Sequence, residues 1–258
     1  MPKNARFRKI EHPEIKKILV YPDNEQLARA AAEFLTGLVS RNTTAVVSYA
    51  TGNSPVLFYQ KVGQLVAEGK ADFSQTKAFH LDEYYPCGPE KEYSFVNYLN
   101  RLVFKPFRIR SENTFPLNGL APDPDKEADR YERLLKKYPV DLSILGIGPG
   151  GHIAFDEPGT PFDSLTHVVK LSKETIKRDR EERGQDSPGQ ALTQGIGTIL
   201  RSKKILQVAQ GSGKYTERFK LALWGPIEPA CPSSVLRTVG ERVTIMIDEV
   251  VAKGLRGN

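Results

Sequence analysis

The chain has 258 residues, 39% of them apolar and 26% charged, a balance that fits a globular protein with a sizeable core and leaves room for one large α/β domain or two small ones. The formal charge of +6 favours anionic partners, but bases and acids are interspersed, as through residues 173–183, and no nucleic-acid recognition motif stands out. The start lacks an apolar signal segment and no apolar run approaches a membrane span. Cys87 and Cys231 lie far apart, neither in a CxxC pair. The expectation is a cytoplasmic protein with reduced thiols, no metal, and neither nucleic acid nor membrane as partner.

Asp23 is placed to cap a helix with Gln26 in the capping-box position, and Leu27, Ala31, Phe34, Leu35 and Leu38 then recur at helical spacing. Residues 44–50 read as a buried strand ending in the small polar turn Thr51-Gly52-Asn53-Ser54, with a helix following. A strand at 77–81 leads into a loop at Asp82-Glu83-Tyr84-Tyr85. Helices are expected at 94–104 and 125–137, and a strand at 141–145. Residues 160–189 are charged and poorly periodic and read as a lid or mobile helical segment. Residues 191–200 read as helical despite Gly195 and Gly197. A strand at 204–209, a loop through Gly211-Ser212-Gly213-Lys214, a helix at 215–224 and a strand at 242–247 complete the chain. Strands alternating with helices imply a doubly wound, mostly parallel sheet with helices on both faces. With no linker or repeat visible, residues 1–258 are expected to form a single domain.

The stretch from Ile144 to Pro158 carries the most chemistry: an apolar strand, a glycine-rich turn, His152, then Glu157. Gly146, Gly148 and Gly151 satisfy the dinucleotide-binding spacing, but that motif must open a helix directly, and here Pro158 closes any helix early. The phosphate-loop pattern fails at Lys214, because Val208 stands where it needs glycine and Tyr215 where it needs Ser or Thr. No nicotinamide or nucleotide cofactor is therefore expected. The turns at 51–54 and 211–214 each precede a helix, where backbone N–H groups and the helix dipole suit a phosphate; each also reads as an ordinary βα turn. His152 reads as a general acid–base with Glu157 orienting it, or as a structural histidine. His80, inside a strand pattern, reads as structural. Asp82 and Glu83 end a strand, where a carboxylate faces a cleft, caps a helix or is simply solvated.

Four segments, Ala50-Thr51-Gly52-Asn53-Ser54-Pro55, Leu81-Asp82-Glu83-Tyr84, the run from Gly148 to Pro158, and the run from Ala191 to Thr198, together resemble the glucosamine-6-phosphate deaminase family within the wider sugar-phosphate isomerase and 6-phosphogluconolactonase superfamily. The His-Ile-Ala-Phe form of the third segment is similar to the deaminases rather than the lactonases. The resemblance implies a modified Rossmann-like fold, no cofactor, and conversion of an amino-sugar 6-phosphate (glucosamine or galactosamine) to a ketose 6-phosphate and ammonia. It implies Asp82 as the enolising base, His152 as the ring-opening residue and Glu157 as its partner. It implies Thr51, Gly52, Asn53, Ser54, Gly151, Arg180 and Lys214 as the groups that hold the substrate. Two positions depart from the family. Gly150 stands where deaminases carry an aspartate, and Glu181 aligns with the lid arginine, leaving Arg178 or Arg180 to substitute. In some relatives a serine, an arginine and a lysine grip an activator's phosphate. Thr160, His167 and Val169 align with them, which implies that this activation is absent. The resemblance is compatible with a homo-oligomer. A lactonase-like hydrolase and a non-catalytic sugar-phosphate sensor are the alternatives.

Overall fold

The computed structural model describes residues 7–148, 150–183, 187–211 and 216–255. Lys214 lies outside the described residues. The elements are β1 (Arg8–Ile10), β2 (Ile18–Tyr21), α1 (Asn24–Arg41), β3 (Val46–Tyr49), α2 (Val56–Ala67), β4 (Lys77–His80), β5 (Asp82–Tyr85) and α3 (Phe95–Leu99), which runs on into a π-helical turn at Asn100–Phe104. They continue as α4 (Pro124–Lys137), β6 (Leu142–Leu145), β7 (His167–Lys170), α5 (Lys173–Arg183), β8 (Gln190–Thr193), α6 (Ile196–Leu200), β9 (Ile205–Ala209), α7 (Thr216–Trp224), β10 (Val243–Asp248) and α8 (Glu249–Leu255).

Seven strands form one sheet in the order β1-β2-β10-β9-β6-β3-β4, parallel except for β1. Strands β2, β3, β6, β9 and β10 are buried along their whole length, as a parallel sheet covered on both faces requires. The path from β3 through α2 to β4 runs one way across the sheet and that from β9 through α7 to β10 runs the other. With right-handed crossovers the two helices fall on opposite faces, the doubly wound arrangement. The start of α1 is as expected: Asp23 accepts from the Gln26 amide N–H at 2.8 Å and from the Gln26 side chain at 2.9 Å. Such a cap stabilises a helix by ~1 kcal/mol.

A second, antiparallel sheet of order β5-β8-β7 hangs from the first. The residues read as the Asp82-Glu83-Tyr84-Tyr85 loop are its strand β5. Residues 191–200 are not one helix: the first part is β8, the central strand, and only Ile196–Leu200 is helical. Pairing on both sides outweighs local helix propensity. Gly195 separates the two elements because a side chain there would collide with the carbonyls of Ser164 and Leu165. Within residues 160–189, charged α5 follows a strand, β7, that its polarity concealed.

The two sheets meet at Leu81. Its N–H donates to the Tyr49 carbonyl of the large sheet, and its own carbonyl accepts from Gln194, just past β8. The Gln194 side chain then donates to Ser48 Oγ and to the His80 carbonyl, each at 2.8 Å.

Candidate active site

A cavity of about 460 Å³ opens at the carboxyl ends of the parallel strands. Its wall takes Asn24 after β2, Thr51 to Ser54 after β3, Leu81 and Asp82 after β4, Gly146 to Gly148 after β6, and Gln210 and Gly211 after β9. Chain ends converge there because successive crossovers diverge at the point where strand order reverses.

Asp82 and Glu83 are neighbours with different surroundings, since successive strand residues point to opposite faces. Asp82 lines the cavity and is nearly buried. Glu83 turns away and caps α3, accepting from Ser94 Oγ at 2.7 Å and from the N–H groups of Phe95 and Val96. Burial pushes the Glu83 carboxyl pKa up, against the pull of these donors. His80 is wholly buried and structural, as the sequence suggests. Its Nε2 accepts from the Leu117 N–H at 2.8 Å, and burial lowers its pKa to about 3, so it stays neutral.

The glycine-rich turn after β6 delivers His152 to the cavity wall. A Cβ on Gly148 would collide with the His152 ring, so the ring packs directly on that backbone. His152 Nδ1 lies 3.6 Å from Glu157 Oε2, an ion-pair separation rather than a hydrogen bond. Glu157 Oε1 accepts from Thr175 Oγ1 at 2.6 Å and from the Ser172 N–H at 3.2 Å. Burial alone would raise the Glu157 pKa; the His152 ring, Thr175 and Ser172 outweigh it and bring it to about 2. Glu157 is therefore a fixed negative charge beside the imidazole. Gly151 is buried with φ +76°, contributes its carbonyl to Ser233 N–H, and is not part of the cavity wall.

The turn at 51–54, which lines the cavity, leads through Pro55 into α2, whose start has no side-chain cap. Gly52 takes φ +90°, and its carbonyl accepts from Tyr98 OH at 2.7 Å. From α5 the cavity receives Arg178, while Arg180 is exposed and outside the wall. Arg178 donates through Nε and an Nη to Asp179 Oδ1, and Tyr84 OH donates to Asp179 Oδ2 at 2.7 Å. Buried Asp179 thus ties the guanidinium to β5. Sequence reasoning left Arg178 and Arg180 undecided because α5 is charged all round and offers no apolar stripe to fix its phase. It also passed over Asn24, Gln210 and Thr216, wall residues without a motif.

Among the described residues, no group of three or more His, Cys, Asp and Glu side chains could hold a metal. No helix there is long and apolar enough to cross a membrane. Cys87 and Cys231 are both buried and free.

A doubly wound sheet with a carboxylate, a histidine and an arginine around one strand-end cavity is the architecture of an α/β enzyme. The chain belongs to the glucosamine-6-phosphate isomerase/6-phosphogluconolactonase family, whose model matches residues 22–245. It is 38% identical over 239 residues to the glucosamine-6-phosphate deaminase of Bacillus pumilus, covering 90% of this chain and 96% of that one. The deaminase of Lactobacillus johnsonii is 37% identical over 243 residues, covering 93% and 97%. A solved structure of a monomeric glucosamine-6-phosphate deaminase superposes with a TM-score of 0.88 at 33% identity, covering 93% of this chain and all of that one. The 6-phosphogluconolactonase of Trypanosoma cruzi has the same fold, with a TM-score of 0.73 at 18% identity.

Proposed function

We propose that the chain is a glucosamine-6-phosphate deaminase: it converts the amino-sugar phosphate and water to a ketose 6-phosphate and ammonia. The observation that carries this reading is the convergence of Asp82, His152, the 51–54 turn and Arg178 on one cavity, in a chain more than a third identical to deaminases over nearly its whole length.

The substrate phosphate lies at the 51–54 turn against the α2 N-terminus, with the Arg178 guanidinium beside it. Lys214 adds a further cation. His152, oriented by the Glu157 charge, moves a proton from the anomeric hydroxyl to the ring oxygen and opens the sugar. The C1 carbonyl so exposed acidifies the C2 hydrogen. Asp82 removes that proton and a proton is returned to C1, leaving an imine at C2. Water hydrolyses the imine to the ketose and free ammonia. No step needs a hydride carrier.

Incubation with glucosamine 6-phosphate, galactosamine 6-phosphate and 6-phosphogluconolactone, following ammonia and acid release, tests the substrate. Ammonia from the glucosamine compound is expected; acid release from the lactone without ammonia from either amino sugar would overturn the reading. Asp82→Asn should lower kcat by about 10²- to 10⁴-fold with KM little changed, the usual effect of losing a general base. A folded variant working at the wild-type rate would remove Asp82 from this role.

A further inference from the structure

A second carboxyl stands close to Asp82 but outside the cavity wall. Asp156 is completely buried, and among the described residues neither of its oxygens has a hydrogen-bond partner. Across the small sheet Thr193 pairs with Asp82 on one side and with His167 on the other. Directly opposed residues share a face, so Asp82, Thr193 and His167 form one row of side chains. The Phe155 N–H donates to Thr193 Oγ1 at 3.1 Å and lays the following residue, Asp156, over that row. His167 Nε2 is 3.9 Å from Asp156 Oδ1.

An ionised carboxylate without a single donor is costly in such a place. Burial and the nearby Asp82 push the Asp156 pKa well above the ordinary carboxylate range, so it keeps its proton. The titratable groups facing it are Asp82 from β5 and His167 from β7. His167 Nδ1 lies 2.8 Å from the Leu165 carbonyl, which fixes the proton on that nitrogen and leaves Nε2, toward Asp156, as an acceptor. The His167 side chain is one-third exposed and reaches solvent.

We propose that Asp156 and His167 form a proton path from Asp82 to solvent, so that the proton taken from C2 exchanges with water before one is returned to C1. This rests on Asp82 being the base. Asp82, once protonated, gives its proton to one Asp156 oxygen while the proton on the other oxygen passes to His167 Nε2. The imidazolium, one-third exposed, then swings its Nε2–H to water and gives up that proton, while Nδ1 keeps the one it donates to the Leu165 carbonyl. Asp82 is again a carboxylate, Asp156 again neutral and His167 again neutral; the reverse sequence supplies C1. The 3.9 Å gap to His167 must close by about 1 Å, and the Asp82 and Asp156 carboxyls, which share no hydrogen bond, must draw together as well; unliganded catalytic contacts are commonly long in this way.

The test uses glucosamine 6-phosphate carrying deuterium at C2, in ordinary water, with deuterium at C1 of the ketose measured early in the reaction. The wild type should lose most of the label. His167→Gln and Asp156→Asn should each raise retention several-fold by trapping the proton on Asp82. A general loss of packing would slow turnover without moving this partition. Equal retention in all three proteins, or near-complete retention in the wild type, would overturn the path. His167 lies on a partly exposed strand, so its variant keeps the test valid if Asp156→Asn fails to fold. Asp82→Asn separates the two ideas: full activity removes the base and the path together, whereas an inactive Asp82→Asn alongside unchanged label partition in the His167 and Asp156 variants removes the path alone.

Discussion

Asp156 and Glu157 are adjacent, both largely buried and each within 4 Å of a histidine nitrogen, yet their carboxyls shift in opposite directions. Glu157 has a hydroxyl and a backbone N–H to accept from and a pKa brought down to about 2. Asp156 has no donor among the described residues and a pKa pushed well up by burial and by Asp82. Burial is common to both. The difference lies in what else each meets: the His152 ring, Thr175 and Ser172 turn Glu157 into a permanent anion, whereas Asp156, without a donor and beside Asp82, is a neutral acid.

The largest effect should come from neutralising the anion. Glu157→Gln removes the charge that orients and supports a protonated His152, and kcat should fall by about 10²-fold or more with KM little changed. Steady-state kinetics on glucosamine 6-phosphate checks this; retained kcat would mean that His152 needs no anion beside it.

Removing a donor should make Glu157 more like its neighbour. Thr175→Val deletes the hydroxyl at 2.6 Å from Oε1, and a hydrogen bond to a charged group contributes about 1.5–3 kcal/mol. Because the folded Glu157 pKa is depressed, this stability is present above the unfolded pKa of about 4.3. It is lost as pH falls toward about 2. Denaturant unfolding should therefore separate the variant from the wild type at pH 7, with the gap narrowing in acid.

For Asp156 the sign reverses. A raised folded pKa means that the folded state binds more protons than the unfolded chain above about pH 3.9, so stability declines as pH rises through that window. Asp156→Asn removes this cost. It should melt higher than the wild type at pH 7, by more than about 2 °C, with the advantage vanishing as pH falls toward 4. A lower melting temperature at pH 7 would mean that Asp156 is charged in the folded protein.

The smallest expected effect is none at all. With Thr160, His167 and Val169 at the positions where some relatives grip an activator's phosphate, only His167 is ionisable, and its Nε2 faces Asp156. A hyperbolic rate curve, unmoved by an N-acetylated amino-sugar phosphate, should result.

Among the parallel strands β3, β6, β9 and β10 were legible because they are short, mostly apolar runs between turn signals, as doubly buried strands must be; β2, equally apolar, was not read. The small sheet was not: β5, β7 and β8 have four residues each, carry polar side chains, and owe their conformation to partners distant in sequence. The site divides in the same way. Asp82, the 51–54 turn, His152 and Glu157 sit in local patterns that announce a strand end or a glycine turn. Asp156 announces nothing, because its character comes from the donors it lacks and from Asp82 and His167, which only the folded sheet brings near.

The join at Leu81 has a consequence for substrate length. In the proposed reaction the 51–54 turn of the large sheet grips the phosphate, with Arg178 beside it, and the C2 hydrogen is presented to Asp82, the first residue of the small sheet. Gln194, bolted to Ser48 and to the His80 carbonyl, holds the two sheets at a fixed offset. The molecule is thereby a gauge with two fixed jaws. A sugar phosphate one carbon shorter than a hexose would reach the phosphate grip or the carboxylate, and not both together.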